Sequence, residues 1–542
     1  MVLKVSLKDF LIVTVFFLTI VFFIIIDNYL RPKLNVKKIQ KDYLDLEKII
    51  KSEFKNEQLQ KNYFKNKKVK IIFWHNLYPR EQIFMNKAIK EFQVKFPNIE
   101  VVNLSKGNWS QISKSISNSL PINKQPHLSF SYPDHVQFYS KSNKIIPLNI
   151  FMENDEDFFN NEKDQFFSSF LPEISLNENK DNKNFFFFPF AKTTEVMFYN
   201  NKIIKKIKNN EIQDSDLKKI LDEKINPEGI IISPLEWEDL RIICSAIKKD
   251  KEKEKDFIPI IIESESNFFI IDNEQRNQIP LPSDKKEAQN FFNNPQIKDK
   301  IIYFKEKFID KGLLTTTKLS GEGNLQEFFK EQKSCFFISS SRRCSTLINN
   351  NFNPEITSFP AYCSDNTSSE KYCNNKFLLQ GANINLFYSD NKDEMLASWL
   401  FLKYLTSKEL CIKMIQEKMG IVFSRKDVKQ HFLKEKAQNE QNIQKIKQDL
   451  KDNKFSEKEK LEKNNTLLHY KFMNFILTLK ENLEYQKIFF STPSYDKSSF
   501  FRQILSESFI EILSINNSKK SYDLKKEIDI LLKETIQRIS SE

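Results

Sequence analysis

The chain is poor in glycine, arginine and cysteine. It has seven glycines and six cysteines in 542 residues, and arginine accounts for nine of its 84 basic residues. Since an average protein is ~7 % glycine, the composition excludes collagen-like repeats, glycine-rich linkers and repeated glycine-rich phosphate loops. The abundance of lysine, asparagine, isoleucine and phenylalanine is typical of an AT-rich genome.

The positive net charge does not indicate nucleic-acid binding. The formal charge is +12, but arginine, whose planar guanidinium group forms bidentate hydrogen bonds to phosphates, is scarce. The lysines alternate with glutamates, whereas a nucleic-acid footprint is clustered. With 40 % hydrophobic and 29 % charged residues, the sequence is that of a globular protein, long enough for two or three lobes.

Recognisable catalytic and metal-binding motifs are missing from the sequence. It has no G-x-S-x-G, no metal-spaced His/Cys cluster and no phosphate loop. His127 and His135 are eight positions apart, and each is more typical of a structural histidine than of a ligand. We therefore expect a protein that is not an enzyme, with no catalytic residue, no metal and no cofactor.

An uncharged apolar run extends from Phe10 to Ile26 and approaches the ~20 residues that span a bilayer. A cleaved signal peptide and an uncleaved anchor are the two interpretations. Small residues should follow the apolar core of a cleaved signal, but here bulky ones do. The sequence favours an uncleaved transmembrane anchor over residues 1–30, with a single pass through the cell membrane.

The orientation of this anchor is not decided by charge. More basic residues follow the apolar run than precede it, which alone would place the bulk of the chain in the cytoplasm. That rule is weak for long translocated domains. The main domain therefore has to decide the orientation, and the family that it resembles (described below) implies that the large domain lies outside the cell.

Residues 31–67 predict a charged helical stalk. Val36, Ile39, Tyr43, Leu46 and Ile50 recur at spacings of three and four, which is the pattern of an apolar helical stripe. The stripe covers about two heptads, too few to indicate an oligomer. The expectation is a helical stalk that lifts the domain off the membrane.

From Val69 onward, short apolar strands alternate with helices. Strands are predicted at 69–74, 99–104 and 127–132, with helices at 81–96 and 108–120. This alternation is typical of βαβ units and a parallel sheet.

Ligands of parallel sheets bind at the carboxyl ends of the strands. The pattern therefore places Trp74–Asn76, Lys106–Trp109 and Tyr132–Asp134 near one crevice.

Several longer blocks resemble one protein family. They are KIIFWHN (Lys70–Asn76), IEVVNLSKGNWSQ (Ile99–Gln111), FPFAKTTEVMFYNNKII (Phe188–Ile204), SPLEWEDLRIICSAIKK (Ser233–Lys249), NLQEFFKEQKSCFFISSSRR (Asn324–Arg343), LLQGANINLF (Leu378–Phe387), SWLFLKYLTSKELCIKMIQEKMGIVFSRKDV (Ser398–Val428) and SSFFRQILSESFIEILS (Ser498–Ser514). In this order they resemble family 1 extracellular solute-binding proteins, which serve ABC importers of sugars and of glycerol 3-phosphate.

The resemblance implies an α/β, two-lobed, periplasmic-binding-protein-like (type II) fold over residues 68–542. Lobe 1 would comprise about 69–189 and 334–384, and lobe 2 about 193–330 and 385–542. The lobes would close on a solute, and the partners would be ABC permease subunits and, through them, the ATPase.

Within that family the glycerol-3-phosphate-binding branch is the most similar, because of GNWSQ, Cys335–Ser341 and Phe501-Arg502. The ligand-binding residues implied by this resemblance are Trp109, Asp134, Thr193, Ser341, Gly381 and Arg502. A tryptophan face suits stacking on a sugar ring, the hydroxyls and the glycine N–H suit polar groups, and an arginine fork suits phosphate.

Two departures from this branch leave the ligand open. Pro133 stands where the branch has an acidic residue, with Asp134 one place on. Ile421 stands where it has a tyrosine, in the turn after Gly420. An acceptor and a hydroxyl are lost, so a sugar or oligosaccharide is at least as consistent with the sequence as glycerol 3-phosphate.

Two further features fit an exported domain. Cys363 and Cys373 flank a short polar loop, and a disulfide there would stabilise the fold by roughly 2–3 kcal/mol, although free thiols are equally compatible with the sequence. The charged stretch His431–Asn464 predicts a solvated helical insert in lobe 2.

Three functions therefore compete. The favoured hypothesis is a membrane-anchored solute-binding subunit of an ABC importer. The alternatives are a surface adhesion or interaction protein on the same fold, and an exported hydrolase, which the lack of an identifiable acid/base pair disfavours.

Overall fold

The computed structural model describes residues 31–140, 142–171, 174–175, 183–276, 279–321, 324–347, 353–364, 372–451, 455–479, 487–493, 498–515 and 524–541. The predicted anchor at 1–30 lies outside these residues. Within them, no helix combines the length and the apolar character needed to cross a membrane.

Two five-stranded sheets organise the described part of the chain. Their strands are, in chain order, β1 (Val69–His75), β2 (Ile99–Ser105), β3 (Leu128–Ser131), β4 (Phe188–Thr193), β5 (Glu195–Tyr199), β6 (Ile260–Ile262), β7 (Leu314–Thr316), β8 (Phe336–Ser340), β9 (Glu355–Thr357) and β10 (Gln380–Leu386). Two-residue or three-residue strands pair elsewhere: Ile174–Ser175 with Lys183–Asn184, Tyr362–Ser364 with Tyr372–Asn374, and Phe377–Leu378 with Phe489–Phe490.

Sheet 1 has the order β2-β1-β3-β10-β4. β1 pairs in parallel with β2 and with β3, and β10 runs antiparallel to both β3 and β4. The predicted alternation of strand and helix after Val69 is confirmed. The strands are rich in β-branched and aromatic residues and lie largely buried, as expected where helices cover a parallel sheet.

Sheet 2 has the order β9-β5-β8-β6-β7. β6 pairs in parallel with β7 and β8, whereas β5 is antiparallel to β8 and β9. Alternate residues of β5 enter different cores, as the two-residue period of a strand requires. Phe198 contributes to the core shared with sheet 1, and Met197 to the core on the other face.

The helices fall into three groups along the chain. Before the first passage between the sheets they are α1 (Arg31–Ile49), α2 (Glu57–Phe64), α3 (Pro79–Lys95), α4 (Trp109–Ser119), α5 (Pro133–Ser140), α6 (Asn149–Met152) and α7 (Glu156–Asn161). Around sheet 2 they are α8 (Asn201–Asn209), α9 (Ser215–Lys224), α10 (Trp237–Asp250), α11 (Glu265–Arg276), α12 (Lys285–Asn293), α13 (Pro295–Phe304), α14 (Thr317–Ser320) and α15 (Leu325–Lys330). The remainder are α16 (Lys392–Leu405), α17 (Lys408–Gln416), α18 (Lys426–Lys434), α19 (Lys436–Lys451), α20 (Glu457–Thr478), α21 (Ser498–Leu513) and α22 (Leu524–Ser541).

The two lobes differ in content from the division expected from sequence. β8, expected in lobe 1, pairs with β5 and β6 in sheet 2. Helices α16 to α18, expected in lobe 2, bury their apolar sides in the core of sheet 1, while α21 and α22 pack on sheet 2. We therefore define lobe 1 as sheet 1 with α1–α7 and α16–α18, and lobe 2 as sheet 2 with α8–α15, α21 and α22.

The segment expected to be a stalk is helical but is docked on lobe 1. Ile39, Leu46 and Ile50 of the apolar stripe are buried in the lobe 1 core. The Tyr388 hydroxyl donates to Asp42 at 2.6 Å. The stripe therefore packs against the chain's own lobe, because its apolar surface finds an intramolecular partner.

The predicted charged insert is a helical hairpin of α19 and α20. In α19 only Asn439 and Ile443 are buried, whereas the second half of α20 enters the core of sheet 1. The hairpin also reaches sheet 2, where Lys471 on α20 pairs with Glu355 on β9 at 2.7 Å.

Cys363 and Cys373 form a disulfide across the small hairpin that holds them. The pairing that the sequence left open is therefore present. The other four cysteines are free and buried.

Candidate functional site

The two sheets are joined where β4 runs into β5. Thr193 ends β4, and Glu195 begins β5 after a single connecting residue. Ser341, just after β8, forms two hydrogen bonds with the connecting residue Thr194. The Ser341 N–H donates to the Thr194 carbonyl at 2.7 Å, and the Ser341 hydroxyl accepts from the Thr194 N–H at 3.2 Å. The same hydroxyl donates to the Gly420 carbonyl at 2.5 Å. Ser341 thus fixes three chain segments at the hinge.

Two glycines permit this close approach of backbones. Gly381 and Gly420 have φ of 83° and 63°, a region that side chains disfavour. A Cβ on Gly420 would lie 1.9 Å from the Ser341 carbonyl oxygen, and one on Gly381 would lie 2.0 Å from the Ala191 carbonyl oxygen. In this glycine-poor chain, Gly381 and Gly420 therefore occupy positions where a side chain would collide with neighbouring backbone.

A cavity of about 320 Å³ lies between the lobes, beside these connections. Lobe 1 lines it mainly with apolar and aromatic side chains from α3, α4 and the strands of sheet 1, together with the Glu81 carboxylate and a few polar groups, and lobe 2 lines it with charged and polar side chains. The main lining residues are Asn76, Tyr78, Glu81, Phe84, Met85, Trp109, Phe130, Tyr132, Phe190 and Thr193, with Glu195, Glu263, Asn267, Arg342, Arg343, Thr346, Gln380, Gly381, Met419 and Ile421.

An aromatic pair forms the lobe 1 wall. The rings of Trp109 and Tyr132 have centroids 4.1 Å apart at 34°. Trp109 is held at the first turn of α4, where the Asn108 side chain caps the helix by accepting from the Gln111 N–H. Tyr132 follows β3, and burial raises the pKa of its hydroxyl to about 12. The pair presents aromatic surface to the cavity.

The lobe 2 wall is a network of carboxyl, amide and guanidinium groups. Glu195 accepts from the Asn267 side chain at 2.9 Å, and Arg502 donates to the same amide at 2.7 Å. Glu263 accepts from Arg343 and from the Ser339 hydroxyl. Burial, with the nearby charge of Glu263, raises the pKa of Glu195 to about 8. Glu195 is therefore protonated at neutral pH.

One ion pair joins the two lobes across the cavity. Arg342, from the turn after β8 in lobe 2, donates through both Nε and Nη2 to the Glu81 carboxylate on α3 in lobe 1, with Nε to Oε1 at 2.8 Å. The guanidinium also lies 4.0 Å from the centre of the Tyr78 ring. The ion pair therefore bridges the two lobes across the cavity.

A second contact between the lobes involves Asp134. Its Oδ2 accepts from the Ser499 hydroxyl on α21 at 3.1 Å, while its Oδ1 is buried without a hydrogen-bond partner among the described residues. Asp134 therefore contributes to lobe contact and does not line the cavity.

The six residues expected to bind ligand divide into two groups. Trp109, Thr193 and Gly381 line the cavity. Asp134, Ser341 and Arg502 do not line it. Asp134 and Ser341 form hydrogen bonds to other chain segments, and Arg502 donates to the Asn267 side chain. The crevice expected from the strand ends is present, since Asn76, Trp109 and Tyr132 all line it.

Several lining residues were not singled out from the sequence. No sequence motif marks Tyr78, Glu81, Glu195, Glu263 or Asn267 as a ligand-binding residue, because isolated polar residues of these types are common in helices and strands. For Glu195 a signal existed, since it lies just after the boundary expected between lobe 1 (to about 189) and lobe 2 (from about 193).

Across the residues that the structure describes, no group of three or more His, Cys, Asp or Glu side chains is placed to hold a metal ion. His127 has a structural role, accepting from the Ile72 N–H at 2.8 Å and contacting Glu394 at 2.9 Å.

A cleft between two α/β lobes, closed around a cavity lined by aromatic and hydrogen-bonding groups, defines a solute-binding protein. Residues 87–444, more than half of the chain, match the family of bacterial extracellular solute-binding proteins. The chain belongs to this family, as its sequence resemblance indicated. No curated protein sequence matches the chain significantly.

Solved structures share the fold at low sequence identity. The ABC substrate-binding protein Lmo0181 from Listeria monocytogenes, in complex with cycloalternan, is 12 % identical with a TM-score of 0.57, over 88 % of this chain and 98 % of that chain. Maltose-bound MalE3 from T. maritima is 12 % identical with a TM-score of 0.57, over 86 % and 99 %. The maltose/maltodextrin-binding domain MalE from Bdellovibrio bacteriovorus, bound to maltotriose, is 14 % identical with a TM-score of 0.53, over 86 % and 100 %. These likenesses establish the fold.

Proposed function

We propose that the protein captures a neutral sugar or short oligosaccharide in the cavity between its lobes and delivers it to an ABC permease. The observation that carries this proposal is the Trp109–Tyr132 pair facing a hydrogen-bonding wall across a closed cleft. A sugar ring offers C–H faces to aromatic rings and hydroxyls to amides and carboxyls. The solutes named for the structural neighbours are of this class.

The charges at the cavity favour a neutral solute over glycerol 3-phosphate. Arg342 is paired with Glu81, and Arg343 with Glu263. Arg502 donates to Asn267 and does not line the cavity. A phosphate would therefore have to displace a carboxylate from its guanidinium, whereas hydroxyls can bond to the groups as they stand.

We further propose that the N-terminal segment anchors the protein in the cell membrane with the solute-binding domain outside. The support is the apolar run from Phe10 to Ile26 together with membership of an extracellular family. Such an anchor would keep the domain close to the permease and its ATPase.

A thermal-shift panel on the full chain in detergent tests the solute class. Maltose, maltotriose, trehalose, sucrose, glycerol 3-phosphate and a glycerophosphodiester are the compounds. A binder present at 100 times its Kd stabilises by about 2.7 kcal/mol. We expect the melting temperature to rise with a saccharide and to stay unchanged with glycerol 3-phosphate. A shift with the phosphate compound alone would contradict the proposal, and a folded protein that shifts with none would favour the adhesion hypothesis.

A further inference from the structure

The N-terminal helix has a fixed orientation on lobe 1. Besides its buried apolar stripe, Lys392 on α16 contacts Asp42 and Asp45 on α1 at 3.5 and 3.4 Å. Beyond α1, the Gln60 amide donates to the buried Asp155 at 3.0 Å. Helix α1 and lobe 1 therefore form one rigid unit, so a membrane anchor attached to α1 also fixes the position of lobe 1.

The proposed anchor ends close to the start of this helix. The apolar run ends at Ile26, and α1 is helical from Arg31. With a rise of ~1.5 Å per helical residue and at most ~3.6 Å per extended residue, Val36 lies within about 25 Å of the end of the run. The surface of lobe 1 around Val36 is thus held near the bilayer.

That surface carries a groove of about 510 Å³ between α1 and the ends of α4 and α5. Val36, Leu120 and Phe138 are among its lining residues. Phe138 is 47 % exposed, and Ile122, in the adjoining turn, is 65 % exposed. Large apolar side chains therefore face solvent at this end of lobe 1.

The charge around the groove is mainly positive. Lys37, Lys41 and Lys124 are exposed. The acidic residue at the groove, Asp390, is paired with Lys38 at 2.5 Å. Exposed aromatic and aliphatic side chains among lysines suit a bilayer surface with anionic headgroups, which attracts the ammonium groups and accepts the apolar ones.

We propose that the face of lobe 1 around this groove rests on the lipid surface, so that lobe 1 is the stationary lobe and lobe 2 moves when the cleft closes. This inference rests on the proposed membrane anchoring and adds to it the surface that meets the bilayer. Ile122 and Phe138 enter the interfacial region, and the lysines lie at the level of the headgroups.

Spin labels on the full chain in vesicles of phosphatidylcholine and phosphatidylglycerol test this proposal. The test variants are Ile122→Cys and Phe138→Cys. Ile232, 62 % exposed in lobe 2, and Phe159, 45 % exposed in lobe 1, provide controls matched in residue type and exposure. Phe159 lies on α7 beside Glu156, which pairs with Lys55 beyond the far end of α1. The four free cysteines are buried.

We expect the labels at 122 and 138 to collide with oxygen dissolved in lipid several-fold more often than the labels at 159 and 232. We expect the same two labels to collide less often with a water-soluble nickel chelate. Equal aqueous exposure at all four positions in a membrane-bound chain would overturn the proposal. Spin–spin broadening at 122 and 138 would show a second copy on this face and would also overturn it.

The proposed anchoring is tested separately by sedimentation of the unlabelled chain with the vesicles. A chain that stays in the supernatant refutes the anchor, and this inference with it. A chain that sediments but shows aqueous labels refutes this inference alone. Saccharide-induced thermal shifts are expected to be unchanged in the Ile122→Cys and Phe138→Cys variants.

Discussion

The two walls of the cleft are built from different chemistry. Lobe 1 offers aromatic surface, chiefly Trp109 and Tyr132, held by a capped helix and a strand end. Lobe 2 offers a connected set of hydrogen-bonding groups around Glu195, Asn267 and Glu263. Stacking tolerates small shifts of a ring along the aromatic surface, whereas hydrogen bonds demand direction.

This difference suggests a division of roles during closure. The aromatic wall can hold a solute on the open cleft without defining its hydroxyl pattern, and the polar wall then selects among solutes as the lobes meet. The Arg342–Glu81 pair and the Ser499–Asp134 contact join the walls in the closed form. In the proposed function, such closure couples ligand binding to a change of shape that a permease can recognise.

Of all the variants, we expect the greatest change in free energy at Glu195, the buried carboxyl of the polar wall, where the free energy of unfolding changes. Between about pH 4.5 and pH 8 the unfolded chain loses the Glu195 proton while the folded protein keeps it, so wild-type stability falls as the pH rises through this window. Glu195→Gln removes the titration. We expect the variant to be more stable than wild type by roughly 2–4 kcal/mol at pH 8 and equal at pH 4. Urea denaturation without solute measures this, and a difference independent of pH would contradict it.

Removing the aromatic wall should weaken binding next most strongly. Trp109→Ala takes away the stacking surface, and we expect affinity for the bound saccharide to fall by about 2–3 kcal/mol, roughly 30- to 150-fold. Trp109→Phe keeps an aromatic face and should retain most of the affinity. Calorimetric titration provides the measurement, and equal losses in both variants would show that ring stacking is not the interaction.

The ion pair between the walls should contribute less. Because Arg342 and Glu81 pair across the cleft from different lobes, a double-mutant cycle of Arg342→Ala and Glu81→Gln is expected to show coupling of about 1–2 kcal/mol in solute affinity. The exposed Lys413–Glu91 pair within lobe 1 is the matched control, with coupling near zero in affinity. Equal coupling in both cycles would argue against an interaction specific to the closed form.

The smallest effect is expected at the second contact between the walls. Ser499→Ala removes one hydrogen bond to Asp134, which should lower solute affinity by about 0.5–1 kcal/mol, a few-fold change. Ser499→Thr, which keeps the hydroxyl, serves as the control. An unchanged affinity in Ser499→Ala would indicate that this contact persists in the open form.

The lobe 1 sheet was predictable because its signal is local. Each strand before Ser131 is a short apolar run followed by a helix, and the predicted ranges match the observed ones to within about two residues at most ends. The family resemblance implied ligand-binding roles for Trp109 and Gly381, and both residues line the cavity.

The remainder depended on contacts between distant residues. The apolar stripe from Val36 to Ile50 indicates that one face of this helical segment is buried. The spacing of apolar residues does not indicate which surface covers that face. Likewise Arg342 and Glu81 are 261 positions apart, and no local pattern pairs them. Ser341 has the hydroxyl expected of a ligand-binding residue, but its hydrogen bonds go to the backbone at the hinge.

In our proposal the two unlike walls close on a neutral saccharide. The test is the spin–spin distance between labels at Ile122→Cys in lobe 1 and Ile232→Cys in lobe 2, measured with and without the saccharide that shifts the melting temperature. We predict a shorter and narrower distance distribution with the saccharide, and none of this change in Trp109→Ala. A distribution that no solute alters, in a chain that binds the saccharide, would contradict closure of the two walls on the solute.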